Sequence, residues 1–137
     1  SFILFFVCTM HMPASAGDFD GSKELMCACI RVIECGPDVN CVQVTVEEIG
    51  IPQFLNINFE EKTISAPQWG KDQTPSRIEN VERIDGKLIL QGAEDGFRDL
   101  KDGLGWSMAI SRETGKMVIS ASGDQVAFVV FGACAVK

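Results

Sequence analysis

From residue 25 onward, apolar and polar side chains alternate with a period of two, in short runs cut by glycine, proline, asparagine and aspartate. That period sends successive side chains to opposite faces of a strand, so each run predicts a strand with one face toward a core. Residues 25–35 lead into the turn cluster Gly36-Pro37-Asp38-Val39-Asn40. Residues 41–48 then set Val42, Val44 and Val46 against Gln43, Thr45 and Glu47. After Gly50-Ile51-Pro52, residues 54–59 set Leu55, Ile57 and Phe59 against Asn56 and Asn58, and a turn at 60–62 precedes a short strand at 63–66. Residues 77–84 and 87–92 flank Asp85-Gly86, a dipeptide suited to a two-residue hairpin because both turn positions need positive φ. Trp106, Met108 and Ile110, then Met117, Ile119 and Ala121, alternate with small or polar residues on either side of Arg112-Glu113-Thr114-Gly115. Gly123-Asp124 predicts a further tight turn. Residues 125–134 are apolar on both faces, which predicts a strand covered on both sides.

No segment has a helical period of useful length. About eight short strands with regularly spaced turn signals predict an all-β fold, an antiparallel up-and-down meander closed as a small barrel, with a β-sandwich as the alternative. Closure is favoured because it removes exposed edges. The longest polar connections are 67–76 and 93–103.

Residues 1–16 differ from the rest. They hold no Asp, Glu, Lys or Arg, run apolar through Phe6-Val7, and end in Pro13-Ala14-Ser15-Ala16. An apolar core before a small-x-small site predicts a secretory signal peptide at 1–16, cleaved after Ala16, with its basic start lying ahead of Ser1. The apolar run breaks at His11 and Pro13, short of the ~20 residues of a membrane span. A retained anchor or a buried first element are the other readings. Residues 17–137 are then expected as one periplasmic or secreted domain, monomeric and free of the membrane.

Every charged residue lies in 17–137, which carries the whole formal charge of −7. Such a chain repels polyphosphate and anionic lipid, so no nucleic-acid partner is expected. The one histidine, His11, falls in the predicted signal, and there is no tyrosine. Without imidazole, neither a Ser-His-Asp or Cys-His nucleophilic site nor a histidine-ligated zinc centre can be built. The expectation is a non-enzyme with no cofactor and no metal.

Cleavage would leave five of the six cysteines: Cys27, Cys29, Cys35, Cys41 and Cys134. In an oxidising compartment disulfides are their expected state. Cys35 and Cys41 bracket the first turn cluster and suit a bridge across a hairpin. Cys134 is expected to join the last strand to the first, at Cys27 or Cys29, leaving one thiol over. A thiolate metal cluster on Cys27-Ala28-Cys29 is the disfavoured alternative.

Other constellations carry less. The acidic stretch 94–103 lacks the alternating oxygen ligands of a calcium loop, since Phe97 stands where one should be. The pairs Glu47-Glu48, Glu60-Glu61 and Asp99/Asp102 could mimic a glycosidase dyad, but 19 acidic residues make chance pairs common. Trp69, Phe97 and Trp106 lie in or beside the long connections and are the candidate binding residues at a barrel mouth.

The segments Leu25-Met26-Cys27-Ala28, Glu34-Cys35, Cys41, Asp102-Gly103-Leu104-Gly105-Trp106, Thr114-Gly115-Lys116-Met117 and Phe131-Gly132-Ala133-Cys134 resemble a group of small secreted bacterial β-proteins with no assigned activity. That resemblance implies a first-strand to last-strand disulfide, Cys27 with Cys134. A weaker one is to periplasmic inhibitors of c-type lysozyme, small β-barrels with a similar disulfide. Their late-strand motif pairs Ser-Gly with a tyrosine; Ser122-Gly123 is present here and the tyrosine is not. Lipocalin-like carriers share the meander without a matching Gly-x-Trp near residues 17–25.

Three functions follow as expectations: a non-catalytic module that binds an unknown protein or envelope component, a carrier of a small hydrophobic ligand in the barrel interior, or a periplasmic inhibitor of a cell-wall hydrolase. A cavity lined by several of Phe54, Phe59, Trp106, Phe128 and Phe131 would mark the carrier. Large inward side chains from every strand would exclude it.

Overall fold

A computed structural model describes residues 17–68, 73–95 and 103–137. Among these, every element is a strand: β1 (Leu25–Gly36), β2 (Val39–Val44), β3 (Phe54–Asn58), β4 (Thr63–Ser65), β5 (Ser76–Arg77), β6 (Asn80–Ile84), β7 (Lys87–Glu94), β8 (Leu104–Ser111), β9 (Lys116–Gly123) and β10 (Val126–Val136). All pairings are antiparallel, in one strongly curled sheet of order β5-β4-β3-β1-β10-β9-β8-β7-β6, with β2 pairing β1 beside β3. The first and last strands are neighbours in register from Leu25↔Val136 to Cys35↔Ala127.

The expected closed, lipocalin-like barrel is not formed. The hydrogen-bonded path stays open between β5 and β6, and the sheet is a half-barrel. The reason lies in the run predicted as one strand at 77–84. Its first residue, Arg77, pairs with the three-residue β4 together with the preceding Ser76, and residues 80–84 pair with β7. Between them, the Ile78 N–H donates to the Lys62 carbonyl at 2.9 Å and the Glu79 N–H to the Gln91 carbonyl at 2.8 Å. The run is thus handed from one sheet end to the other, and no strand pairs both ends along a common length. All ten strands share one sheet, so the two-sheet sandwich is not formed either.

The inward face holds the residues the alternation predicts. Leu55, Ile57, Met108, Ile110 and Met117 are buried, with Leu25, Cys27, Ile64, Leu88, Leu90 and Val130. Burying each such aliphatic side chain contributes roughly 1.5–3 kcal/mol. A bulge between Cys29 and Arg31 shifts the register of β1, so Leu25, Cys27 and Cys29 point inward before it, and Val32 after it. Where the chain turns from β8 to β9, Phe19 fills the interior at 5 % exposure. A Cβ at Gly115 would stand 2.5 Å from its ring, and Gly115 has φ 74, so glycine is required there twice over. The Arg83 Nε donates to the Asp20 carbonyl at 2.7 Å and ties the segment bearing Phe19 to β6.

Three further expectations change. The predicted strand 41–48 stops at Val44, because Thr45-x-x-Glu48 forms a reciprocal capping pair. The Thr45 N–H donates to Glu48 Oε2 at 2.7 Å, and the Glu48 N–H to Thr45 Oγ1 at 3.3 Å. The resulting single turn ends at Gly50, with φ 69. The last hairpin turns at Asp124-Gln125, one residue later than expected, with Gln125 at φ 57. Finally, β10 is not covered on both sides: Phe131 is 42 % exposed on the outer face.

Candidate functional site

The inner face is not evenly filled. One row across the sheet reads Val44–Val32–Val130–Ile119–Met108–Leu90, large at every position. The next row toward the Gly123 end reads Glu34–Phe128–Ala121–Trp106–Gly92, alternating large with small from Phe128 onward. With strands ~4.8 Å apart, Phe128 and Trp106 stand ~10 Å from each other at the backbone, with only a methyl group between them. A niche therefore opens over Ala121, with Ile119 and Met108 beneath it.

Gly92 sets the Trp106 wall. A Cβ there would lie 2.5 Å from Trp106 Cζ2 and 2.6 Å from the Arg77 carbonyl oxygen, so the indole lies across the bare backbone of β7. The facing wall comes from the other side of the curl: Leu55 and Ile64 of β3 and β4, and Ile49, Ile51 and Pro52 from the capped turn. Together these side chains line a cavity of about 250 Å³. Leu104, Glu94 and Ser76 complete its rim. Ser76 lies at the end of one long polar connection, and Glu94 and Leu104 flank the other.

Glu94 is the one charged side chain among the described lining residues. Its Oε1 is buried and has no hydrogen-bond partner among the described residues. A buried acceptor left without a donor costs on the order of 1–3 kcal/mol.

Trp106 is the candidate binding residue that the structure brings to this site. Trp69 and Phe97 lie outside the described residues, as do the predicted signal at 1–16, His11, and most of the acidic stretch 94–103. Of the other aromatics weighed for a carrier, Phe128 lines the cavity, while Phe54 and Phe131 face outward, each 42 % exposed. Phe59 borders a surface hollow with Gly21 and Asn58 instead. Ser122, of the inhibitor-like Ser-Gly pair, is exposed on the outer face. Of the carboxylate pairs, Glu48 caps its own turn, Glu60 and Glu61 are exposed, and Asp99/Asp102 lies outside the described residues. Among the described residues, no three His, Cys, Asp or Glu side chains gather as a metal site requires.

Cys27 bonds to Cys134 across directly paired positions of β1 and β10, and Cys35 bonds to Cys41 across the β1–β2 hairpin. Both bridges fit an oxidising environment. Cys29 is a free thiol, 4 % exposed, and burial pushes its pKa up to about 11. It is a poor nucleophile in that state.

Sequence reasoning missed Ile49, Ile51 and Pro52, although the Thr45-x-x-Glu48 signature was there to be read. Ala121 and Gly92 were legible as inward or strand positions, but not as the small members of a shared row. Compared with protein-family models, curated proteins and solved structures, the chain matches none.

Proposed function

We propose that this protein is an exported, non-catalytic binding protein that takes a small apolar ligand into the cavity between Trp106 and Phe128. Of the functions left open by the sequence, this one draws support from a specific observation: an apolar niche over Ala121, opened by a large–small alternation beside a fully filled row. A cavity of 150 Å³ accommodates benzene, so about 250 Å³ suits a ligand of about ten non-hydrogen atoms. Apolar lining with one or two polar groups at the rim is the usual composition of a small-molecule site. The two disulfides support a periplasmic or extracellular setting.

Native mass spectrometry of the protein from its own host, with titration of the compact fluorescent probe 1-naphthylamine, tests the reading. The probe should bind the wild type and be lost in Ala121→Phe, whose ring fills the niche. Phe128→Ala, which widens it, should still bind. Equal probe binding by wild type and Ala121→Phe, with both folded by circular dichroism, would overturn the proposal.

A further inference from the structure

We infer that the cavity selects apolar molecules ending in a protonated amine, with Glu94 as the acceptor of the head group. This rests on the apolar-ligand reading above and goes beyond it by fixing the polar end. Three observations converge. Glu94 Oε1 is buried at the rim with no donor among the described residues, and a carboxylate only accepts. Glu94 pairs with Leu104, two residues from Trp106 on the same face, so an ammonium bound to it lies within reach of the indole face. No Lys or Arg lines the cavity among the described residues, so Glu94 meets no cation of the protein's own there. An anionic head group would face the Glu94 carboxylate with no cation beside it, a hydroxyl would donate to Glu94 without neutralising its charge, and an ammonium donates and neutralises. The apolar tail then lies over Ala121.

Competition by n-octylamine, 1-octanol and octanoate against the naphthylamine probe separates these cases, because the three share a tail of the right size. The measurement belongs at about 0.15 M salt, where attraction by the overall charge is screened beyond ~8 Å. Octylamine should bind about tenfold or more tightly than octanol, and octanoate more weakly than either. In Glu94→Gln the amine-to-alcohol ratio should fall to within about threefold. In Glu82→Gln, which removes an exposed carboxylate on the outer face of β6, it should stay as in the wild type. Reading a ratio keeps the test valid if Glu94→Gln weakens binding generally. A wild-type protein that binds octanol but does not prefer the amine, or a preference that survives Glu94→Gln, overturns the head-group assignment and leaves the apolar site standing. Failure of all three to displace the probe sinks both.

Discussion

Replacing Cys27 and Cys134 together by alanine should cost far more stability than replacing Cys35 and Cys41. The first bridge spans a sequence separation of 107 and the second a separation of 6. In the chain-entropy model these lengths translate to about 5 kcal/mol for the long link and about 2 kcal/mol for the short one. Unfolding entropy near 2.1 cal/mol/K per residue over the ~120 residues from Gly17 converts them to losses of about 20 °C and about 8 °C in Tm. Packing works in the same direction. Cys27 is fully buried and Cys134 is 7 % exposed, so alanines there leave part of the sulfur volume unfilled, whereas Cys41 is exposed. The native sheet should survive both changes, because β1 and β10 pair at nine positions besides the bridged Cys27↔Cys134. Thermal and urea unfolding of the oxidised protein, followed by far-ultraviolet circular dichroism, gives both values. Equal losses, or a larger loss from the hairpin bridge, would refute the view that the long link acts by restricting the unfolded chain.

Gly92→Ala should drive the Trp106 indole off β7, destabilising the fold by about 1–3 kcal/mol and red-shifting tryptophan emission, which Trp69→Phe isolates to Trp106; unchanged emission would contradict the contact. The Cys29 thiol rises from about 9 to about 11 on burial. A raised acid keeps its stabilising effect below the unfolded value and loses it as pH climbs through the folded one. Urea midpoints should therefore fall more steeply between pH 9 and 11 in the wild type than in Cys29→Ala, and parallel curves would count against the burial effect.

The parts of the fold that could be read from the sequence are those set by local rules. Period-two alternation placed Leu55, Ile57, Met108, Ile110 and Met117 inward without knowledge of any partner strand. Asp85 and Gly86, at φ 44 and 73, take the turn their identities demand. Where two local signals competed, the weaker-looking one prevailed. The valine alternation argued for a strand through Glu48, but the Thr45–Glu48 pair satisfies two N–H groups that further strand could pair only on one side, since β2 lies at an edge. Closure and the exact turn at Gln125 depend on how far strands overlap, and that is set by tertiary pairing. The apolar outer positions of β10 misled for a related reason: Phe131 faces Val118 and Arg31 on its own sheet face, so cross-strand contact accounts for it without a covering layer.

The candidate site belongs to the same class of non-local features. Phe128, Ala121 and Trp106 come from three strands, and only the registers β10–β9 and β9–β8 align them in one row. Loose packing of a small core is the alternative origin for such a gap, and the neighbouring row argues against it. Val130, Ile119, Met108 and Leu90 sit one step along the same four strands and carry a large side chain at every position, with Val130, Met108 and Leu90 at 1 % exposure or less. The same backbone curvature thus supports a closed row and an open one, and the difference lies in two small residues, Ala121 and Gly92. Gly92 cannot be a spare position, because the indole occupies the place of its missing Cβ. Its smallness fixes where Trp106 stands, and Ala121 keeps the space beside it open. A buried carboxylate oxygen at the rim of that space adds an unsatisfied polar group where a stability-driven core would place an apolar one. Large walls, a small floor residue and an acceptor at the rim are the features that support the proposed amphiphile site over a packing defect.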